Sequence, residues 1–209
     1  MSSELADLYG DQVLKKIENR KEKFIDELTQ IGNRKFLEET VPKFLDQEKR
    51  TEKNATILML DIDHFKFVND THGHSAGDTA LQNITQIIKQ SIRNSDFVFR
   101  YGGEKFTVFL PNTDISQAEM VAEKIRENVA NAGIYKRTIS IGCMSTDQLD
   151  NWKEDQSQLD MRELMDDLIK KADRALYFSK ENGRNQVNVY SKELEERRKK
   201  SKIKSESNK

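Results

Sequence analysis

Cysteine is almost missing from this 209-residue sequence: Cys143, inside the apolar run TISIGCM, is the only one. A single thiol excludes an intramolecular disulfide framework, so we expect a reducing compartment and a buried, inert side chain. An excess of charge of one sign is missing too, because 35 Lys and Arg residues nearly balance 36 Asp and Glu residues. This balance argues against a nucleic-acid or membrane binder, and any ligand selectivity must be local.

Long hydrophobic runs are also lacking. No segment approaches the roughly 20 apolar residues that a membrane-spanning helix needs, and the N-terminal MSSELADLYG has no apolar core of signal-peptide length. We therefore expect a cytoplasmic location, which does not exclude that the chain is part of a longer membrane protein. The length and the 35% hydrophobic composition predict one domain with a real core plus peripheral segments.

Apolar periodicity divides the chain into helices and strands. Residues 4 to about 31 carry one apolar stripe, which predicts a helix that packs on its own domain or pairs with the same helix of another chain. Further helices are predicted at about 33–45, 80–92, 116–131 and 161–179. Strands are predicted in ATILMLDID, RTISIGCM, QVNVY and a hairpin. The order α-β-α-β-β-α-β-α-β predicts an α/β fold with a mixed central sheet covered by helices.

The chain is expected to comprise three segments. Residues 1–25 would form a signalling or dimerisation helix, residues 26–191 the globular domain, and residues 192–209 a charged, disordered tail. Within the domain, the polar stretch at 145–160 is predicted to be a surface loop.

The stretch FVFRYGGEKFTVFLP, residues 97–111, has the pattern of a β-hairpin. Two alternating apolar runs flank Gly102, Gly103, Glu104 and Lys105. Glycines without a Cβ let the main chain turn sharply and let a phosphate or a base approach it closely. The acid beside them suggests a ligand whose other contacts come from elsewhere in the chain.

A second acidic cluster stands at the end of the strand LMLDID. Asp61 and Asp63 are two residues apart and should point the same way. Either they cap the following loop or they hold a cation, and a hard cation such as Mg²⁺ takes oxygen ligands and leaves room for phosphates. Glu104 would be the third carboxylate if the hairpin lies beside this strand.

The connection that follows is rich in groups that can bind ligands: Lys66, Asn69, Asp70, His72, His74 and Asp78. Such a loop needs a ligand or an internal network to satisfy it. His72 and His74 invite a zinc interpretation, but a third histidine or cysteine at zinc-like spacing is missing, so structural histidines are the preferred interpretation.

Five motifs together resemble the GGDEF family of diguanylate cyclases, in the same order and with similar separations: DELTQIGNRKFLEE, LMLDIDHFKFVNDTHGHSAGDTAL, RYGGEKF, TISIGCM and KADRALYFSKENGRN. The resemblance covers about residues 26–190. It implies a palm-like α/β fold related to nucleotidyl cyclases and polymerases, here with an N-terminal helical extension. It also implies that two GTP molecules are joined into cyclic di-GMP with release of two pyrophosphates, by two domains facing each other in a homodimer.

Position by position, the resemblance implies a metal site and a phosphate site. Asp61, Glu104 and the main-chain carbonyl of Ile62 would hold Mg²⁺, or Mn²⁺ in its place. The terminal phosphates would be held by the side chains of Lys180 and Arg184 and by main-chain amides at Phe65 and Lys66, with the backbone of Gly102 and Gly103 beside the nucleotide.

The resemblance also implies two sites for guanine. Asn69 and Asp78 match residues that hydrogen-bond the guanine edge, and a carboxylate there accepts from N1–H and the amino group, which favours GTP over ATP. The motif RNSD, with Arg93 and Asp96, matches the inhibitory site for the product; a helix-end salt bridge is the alternative.

Lys105 departs from the family signature, which has a second acid at this position. An ammonium there changes the local charge by two units beside a metal and a triphosphate, so Lys105 is counted with Asp61 and Glu104 among the catalytic positions. Two functions remain open. One is an active cyclase inhibited by its product; the other is a catalytically silent module that binds GTP or cyclic di-GMP and signals through its N-terminal helix. Either would respond to an upstream sensory domain or a separate partner.

Overall fold

The computed structural model describes residues 23–150, 152 and 160–194. In chain order the elements are β1 (Gly32–Asn33), α1 (Arg34–Arg50), β2 (Thr56–Ile62), α2 (Phe65–His72), α3 (His74–Ser91), β3 (Phe97–Gly102), β4 (Lys105–Leu110), α4 (Ile115–Ala132), β5 (Ile139–Ser145), α5 (Met161–Glu181) and β6 (Val187–Val189). Short 3₁₀ turns lie at Ile134–Lys136 and Thr146–Gln148.

The strands form one six-stranded sheet in the order β1-β3-β4-β2-β5-β6. Strand β2 pairs antiparallel with β4 and with β5, whereas β1 is parallel to β3 and β6 is parallel to β5. The prediction of a mixed sheet covered by helices is confirmed, and so is the β3–β4 hairpin. Because β2 has a strand on each side, its carboxyl end lies in the middle of one sheet edge.

The two faces of the sheet carry separate hydrophobic cores. All seven residues of β2 are buried, and they alternate between the faces: Ile57 and Met59 pack with α1 and α5, while Leu58 and Leu60 pack with α3 and α4. This alternation is the period-two pattern of a strand. Asp61 follows Ile57 and Met59 in that pattern, so it is directed toward α5.

The prediction of a helix reaching residue 31 is wrong for the part of it that the structure describes. Residues 23 and 24 are helical, but the chain then turns. Asp26 accepts hydrogen bonds from the backbone N–H of Thr29 at 2.9 Å and from its hydroxyl at 2.6 Å, and Gln30 takes a left-handed conformation with φ 56°. A side chain that binds a nearby backbone N–H competes with the helical hydrogen bond. Residues 1–22 lie outside the described residues.

Three further boundaries differ from the predictions. Helix α1 continues past residue 45 to Arg50, since its charged end residues favour helix and Arg50 pairs with Asp46 at 2.7 Å. Helix α3 begins at His74 and not near residue 80, directly after the short helix α2 in the connection that follows β2. The stretch at 145–160 is not simply a surface loop: Trp152 is buried, and its Nε1 donates to the carbonyl of Lys53 at 2.9 Å.

Two expectations about single features can be compared with the described residues. Cys143 is fully buried, and burial raises the pKa of its thiol, so the expected inert cysteine is confirmed. In the part of the chain that the structure describes, no helix is both long enough and apolar enough to span a membrane.

Gly142, in the middle of β5, sets the distance between the sheet and α5. A Cβ there would collide with the main chain of Ala172 and Leu176 and would lie 2.8 Å from the carbonyl carbon of Ala175. A collision with backbone cannot be relieved by a side-chain rotation. We expect Gly142→Ala to lower the free energy of unfolding by about 3 kcal/mol.

Urea denaturation followed by circular dichroism measures this loss. Gly133→Ala is the control, because a Cβ on Gly133 would enter open space and would meet only the strain of the φ of 62° at that position, which should cost about 1 kcal/mol. Equal midpoints for Gly142→Ala and the wild type would contradict this account of the packing.

Candidate active site

The tip of the β3–β4 hairpin is open to solvent. Gly102 pairs with Lys105, which leaves Gly103 and Glu104 as the two turn residues. Gly102 and Gly103 have φ values of 152° and 57°, and a Cβ on either would meet nothing within 4 Å. Glycine is therefore required here by the backbone conformation, and the bare main chain can receive a ligand.

A half-buried arginine holds this tip in place. Arg100 donates from Nε to the carbonyl of Gly103 at 3.0 Å and from Nη1 to both carboxylate oxygens of Asp26 at 3.1 Å. Burial alone would raise the pKa of Asp26, but hydrogen bonds from Thr29 and the Arg100 guanidinium bring it below its ordinary value. Sequence reasoning missed this pair, although both residues lie in motifs that carry the family resemblance.

Asp61 stands at the carboxyl end of β2 with only 3% of its side chain exposed. Lys180 Nζ, from the last turn of α5, lies 2.6 Å from its Oδ1. Burial raises the pKa of Asp61 and the charge of Glu104 adds to this, whereas the ammonium groups of Lys180 and Lys105 oppose it. The structure thus brings together Asp61, expected at the metal site, and Lys180, expected at the phosphate site.

Glu104 and Ile62 lie beside Asp61. The backbone N–H of Ile62 is 3.4 Å from the carbonyl oxygen of Glu104, so the hairpin tip adjoins the end of β2 as expected. Among the described residues, Asp61 Oδ1 is buried without a well-aligned hydrogen bond despite its contact with Lys180. A buried carboxylate whose oxygen contacts a lysine, with the charge of Glu104 close enough to raise its pKa, supplies the oxygen ligands that a hard cation such as Mg²⁺ prefers.

Lys105 lies directly across the β2–β4 ladder from Asp61 and is paired with another acid. Its Nζ is 3.0 Å from Asp173 Oδ1 on α5, and the two side chains are 39% and 46% exposed. Burial alone would lower the pKa of Lys105, but the hydrogen bond and charge of Asp173 raise it, so the ammonium is retained. Sequence reasoning missed Asp173; its position seven residues before Lys180, two helical turns, was the available signal.

Asp63 differs from Asp61 in every contact. Its carboxylate is 1% exposed and accepts from the hydroxyls of Thr138 and Ser140, each at 2.7 Å, and from the backbone N–H of Asn185 at 3.0 Å. Capping of the following loop, one of the two interpretations of the Asp-x-Asp pair, does not describe Asp63, because its partners lie at residues 138–140 and at Asn185. Arg184, the residue before Asn185, is half-buried in the turn after α5.

Helices α2 and α3 carry the remaining nucleotide-site candidates. The Phe65 side chain is buried and Lys66 is exposed at the start of α2, where His64 provides no side-chain cap. The carboxamide of Asn69 lies against Gly77, in space that any Cβ on Gly77 would occupy. This contact brings Asn69 beside the exposed Asp78, the residue that follows Gly77.

The RNSD motif forms the turn between α3 and β3. Asp96 accepts from the backbone N–H of Arg93 at 2.8 Å, and the backbone N–H of Asp96 donates to the Arg93 carbonyl at 3.0 Å. Among the ion pairs of the described residues, none joins the two side chains. The exposed Arg93 guanidinium is therefore not used in the helix-end salt bridge that the sequence left open.

The histidines of the polar connection are not gathered into a metal cluster. The ring of His72 lies 5.1 Å from that of Tyr135. Over the residues for which coordinates are described, no three His, Cys, Asp or Glu side chains are placed to hold a metal together.

Comparison with known protein families matches residues 23–186 to the family described as diguanylate cyclase, GGDEF domain. The chain belongs to the GGDEF family of diguanylate cyclases. The family match begins close to the described turn at Asp26 and ends close to Arg184, so it spans the whole candidate site.

Similar proteins include diguanylate cyclase A of Treponema denticola, which is 42% identical to this GGDEF domain over 150 residues. The match covers 68% of this chain and 37% of that relative. The coiled coil and GGDEF domain of DgcB from Caulobacter crescentus, solved in complex with c-di-GMP, align with a TM-score of 0.73 at 25% identity, covering 90% of this chain and 97% of that one.

A further structural relative is the diguanylate cyclase SiaD from Pseudomonas aeruginosa, solved in complex with its activator SiaC. It aligns with a TM-score of 0.68 at 27% identity, covering 90% of this chain and 70% of that one. These alignments confirm the GGDEF fold expected from the sequence.

Asp61 and the partly buried Asp26 of this GGDEF domain should respond oppositely to pH. The folded-state pKa of Asp61 is raised above its ordinary 3.8, so the native state binds more protons than the unfolded state and the free energy of unfolding falls as pH rises through that window. Asp61→Asn should therefore stabilise the metal-free protein at pH 7, and this gain should shrink toward pH 3.8 and below.

Asp26→Asn is the matched comparison, since the pKa of Asp26 is lowered. Its carboxylate stabilises the fold above pH 3.8, and this contribution is lost as pH falls through the folded-state pKa. We expect Asp26→Asn to lower the free energy of unfolding at pH 7, and we expect this loss to become smaller as the pH falls. Thermal unfolding in EDTA from pH 3 to 8 measures the stability of both variants. If Asp61→Asn and Asp26→Asn changed the stability at pH 7 in the same direction, the opposite pKa shifts of the two aspartates would be refuted.

Proposed function

We propose that this GGDEF domain is an active diguanylate cyclase that condenses two GTP into cyclic di-GMP and releases two pyrophosphates. The observation that carries the proposal is the meeting of Asp61, Glu104 and Lys180 at one sheet edge, where the Asp61 side chain is only 3% exposed and its Oδ1 lies 2.6 Å from Lys180 Nζ. A GTP substrate implies a cytoplasmic location, which the free thiol of Cys143 suits. The chain spans only 37% of its cyclase relative from Treponema denticola, so the activity of a whole protein is part of the proposal.

Asp61, Glu104 and the carbonyl of Ile62 would hold Mg²⁺, or Mn²⁺ in its place. When bound, such an ion neutralises phosphate charge and polarises the phosphorus under attack. Lys180 would then leave Asp61 and bind the terminal phosphates. The distance of 2.6 Å between Lys180 Nζ and Asp61 Oδ1 supports this role, because it places the ammonium beside the proposed metal site.

The rest of the chain would orient GTP. The uncapped start of α2 leaves the amides of Phe65 and Lys66 for phosphate oxygens, with Arg184 as a second cation. Asp78 and Asn69 would read guanine, since the carboxylate accepts from N1–H and the amino group, which adenine does not offer. The backbone of Gly102 and Gly103 would line the nucleotide.

The reaction itself joins two sites. The 3′-hydroxyl of one GTP attacks the α-phosphorus of the other, a new P–O bond forms, and the bond to pyrophosphate breaks; the second linkage forms in the same way. Each domain holds one GTP, so two domains must face each other. We infer a homodimer driven by the N-terminal segment, under the control of a sensory domain or a partner; the SiaD relative, solved with its activator, supports the latter.

A catalytically silent module that binds GTP or cyclic di-GMP is the second candidate function. The observation that favours it is Lys105, an ammonium held across the ladder from Asp61 where the family signature has an acid. This second candidate requires nucleotide binding without turnover. Steady release of pyrophosphate would therefore rule it out.

The first test is synthesis of cyclic di-GMP from GTP and Mg²⁺, followed by chromatography over a range of protein concentrations. We expect a rate that rises faster than linearly with concentration, because two domains must meet. Asp61→Ala should lower the rate at least about a hundredfold, since several kcal/mol of charge stabilisation are lost. The control Asp150→Asn removes a carboxylate that is 85% exposed and should change nothing. Synthesis that survives Asp61→Ala would remove Asp61 from the metal site.

Arg93 and Asp96 would form an inhibitory site for the product. The exposed guanidinium of Arg93 offers a charge-assisted bidentate contact to a phosphate of cyclic di-GMP. We expect Arg93→Ala to raise the product concentration for half-inhibition about tenfold. Titration of cyclic di-GMP into the synthesis reaction measures it, and Asn94→Ala in the same exposed turn is the control. An unchanged inhibition curve for Arg93→Ala would exclude this site.

A further inference from the structure

We propose that Asp63 is a positioning residue for the phosphate-binding Arg184, not a second metal ligand. The inference rests on the cyclase site proposed above and adds to it a residue that acts through another. Its basis is the set of contacts that Asp63 makes with two separate segments of the chain, residues 138–140 at the start of β5 and the turn at Asn185.

Both carboxylate oxygens of Asp63 are occupied. Oδ1 accepts from the hydroxyl of Ser140 at 2.7 Å, and Oδ2 accepts from the hydroxyl of Thr138 at 2.7 Å and from the backbone N–H of Asn185 at 3.0 Å. The backbone N–H of Asp63 also donates to the carbonyl of Thr138 at 2.9 Å. Asp63 is 1% exposed and its carboxylate is satisfied by hydroxyl and backbone donors, whereas the contact of Asp61 Oδ1 is with the ammonium of Lys180 at 2.6 Å.

The turn that carries Arg184 needs such a tether. Arg184 and Asn185 have φ values of 62° and 44°, two successive side-chain-bearing residues in the left-handed region. This conformation is unfavourable for L-residues and persists only where surrounding contacts impose it. The backbone N–H of Arg184 returns to the carbonyl of Ser179 at 3.0 Å, and the Asn185 side chain accepts from Arg126 at 3.1 Å. The bond from Asn185 to Asp63 is the contact that joins the turn to β2.

Asp63 is placed between the parts of the proposed nucleotide site. It follows Asp61 and Ile62, it precedes the uncapped start of α2, and across 122 residues it holds the turn containing Arg184. A carboxylate that accepts three hydrogen bonds is a rigid support, because two of the bonds fix it to the start of β5 and the third restrains the turn after α5. Asp63 therefore fixes Arg184 relative to the end of β2, where the α-phosphate and metal would lie.

A double-mutant cycle tests this role without turnover. The probe is a GTP analogue with a methylene group between the α and β phosphorus atoms, bound in Mg²⁺ and measured by calorimetry. We expect Asp63→Asn to weaken binding about tenfold. In an Arg184→Ala background the same change should weaken it less than about twofold, because a residue acting through Arg184 has no further effect once Arg184 is gone.

Three comparisons separate positioning from other roles. Asp150→Asn, the same change at an exposed site, should leave binding unchanged. Thr138→Val removes one donor to Asp63 Oδ2 and should give a smaller loss that also vanishes with Arg184→Ala, which keeps the test available if Asp63→Asn does not fold. Binding of Mn²⁺ to the nucleotide-free protein, followed by electron paramagnetic resonance, should survive Asp63→Asn and be lost in Asp61→Asn.

Additive losses in the cycle would overturn the inference, as would loss of Mn²⁺ binding in Asp63→Asn. Either result leaves the proposed function standing if the wild type binds the analogue and makes cyclic di-GMP. Failure of the wild-type protein to bind the analogue would overturn the proposed function and this inference with it.

Discussion

The antiparallel pairing of β2 with β4 is the constraint on which the candidate site depends. Apolar side chains of β2 alternate between two cores, so the register of the strand is fixed by burial on both faces. A slip of one residue would exchange the faces. Asp61 would then point away from α5 and from Lys180. The same ladder sets Lys105 across from Asp61 and brings the Glu104 carbonyl to 3.4 Å from the amide of Ile62. Hydrophobic packing of β2 therefore determines which way the charged side chains at its end are directed.

The ligand-free site holds its charges in pairs of unequal strength. Lys105 and Asp173 are both more than a third exposed, and a pair of that kind contributes only about 0–1 kcal/mol, so its exchange for a ligand costs little. Asp61 is nearly buried, and its raised pKa shows that desolvation outweighs the nearby ammonium groups. A buried carboxylate that destabilises the ligand-free fold is expected where function requires it, because binding a cation relieves the cost.

Sequence patterns predicted the parts of this fold that depend on neighbours along the chain. The alternation in β2, the hairpin with its two glycines and the helical periods of α3 to α5 are all local, and each was found. What could not be predicted depends on partners distant in sequence: Asp26 and Arg100 are 74 residues apart, Lys105 and Asp173 68, and Asp63 and Asn185 122. The turn after Asp26 was missed for a different reason, since an apolar residue such as Ile31 fits a helical stripe and is buried here in a turn. The contrast between Asp61 and Asp63 was also hidden, because spacing alone gives both residues the same direction.

Lys105 has to be considered together with Asp173. In the described structure the ammonium sits 3.0 Å from the Asp173 carboxylate, on the same side of the sheet as Asp61. An acid at position 105 would place a second carboxylate beside Asp173, and like charges at that distance disfavour ionisation of one of them. The lysine therefore neutralises an acid that α5 already supplies, so the pair of residues 105 and 173 carries no net charge. The departure from the family signature is at Lys105, and the charge that a metal and a triphosphate would meet depends on Lys105 and Asp173 together.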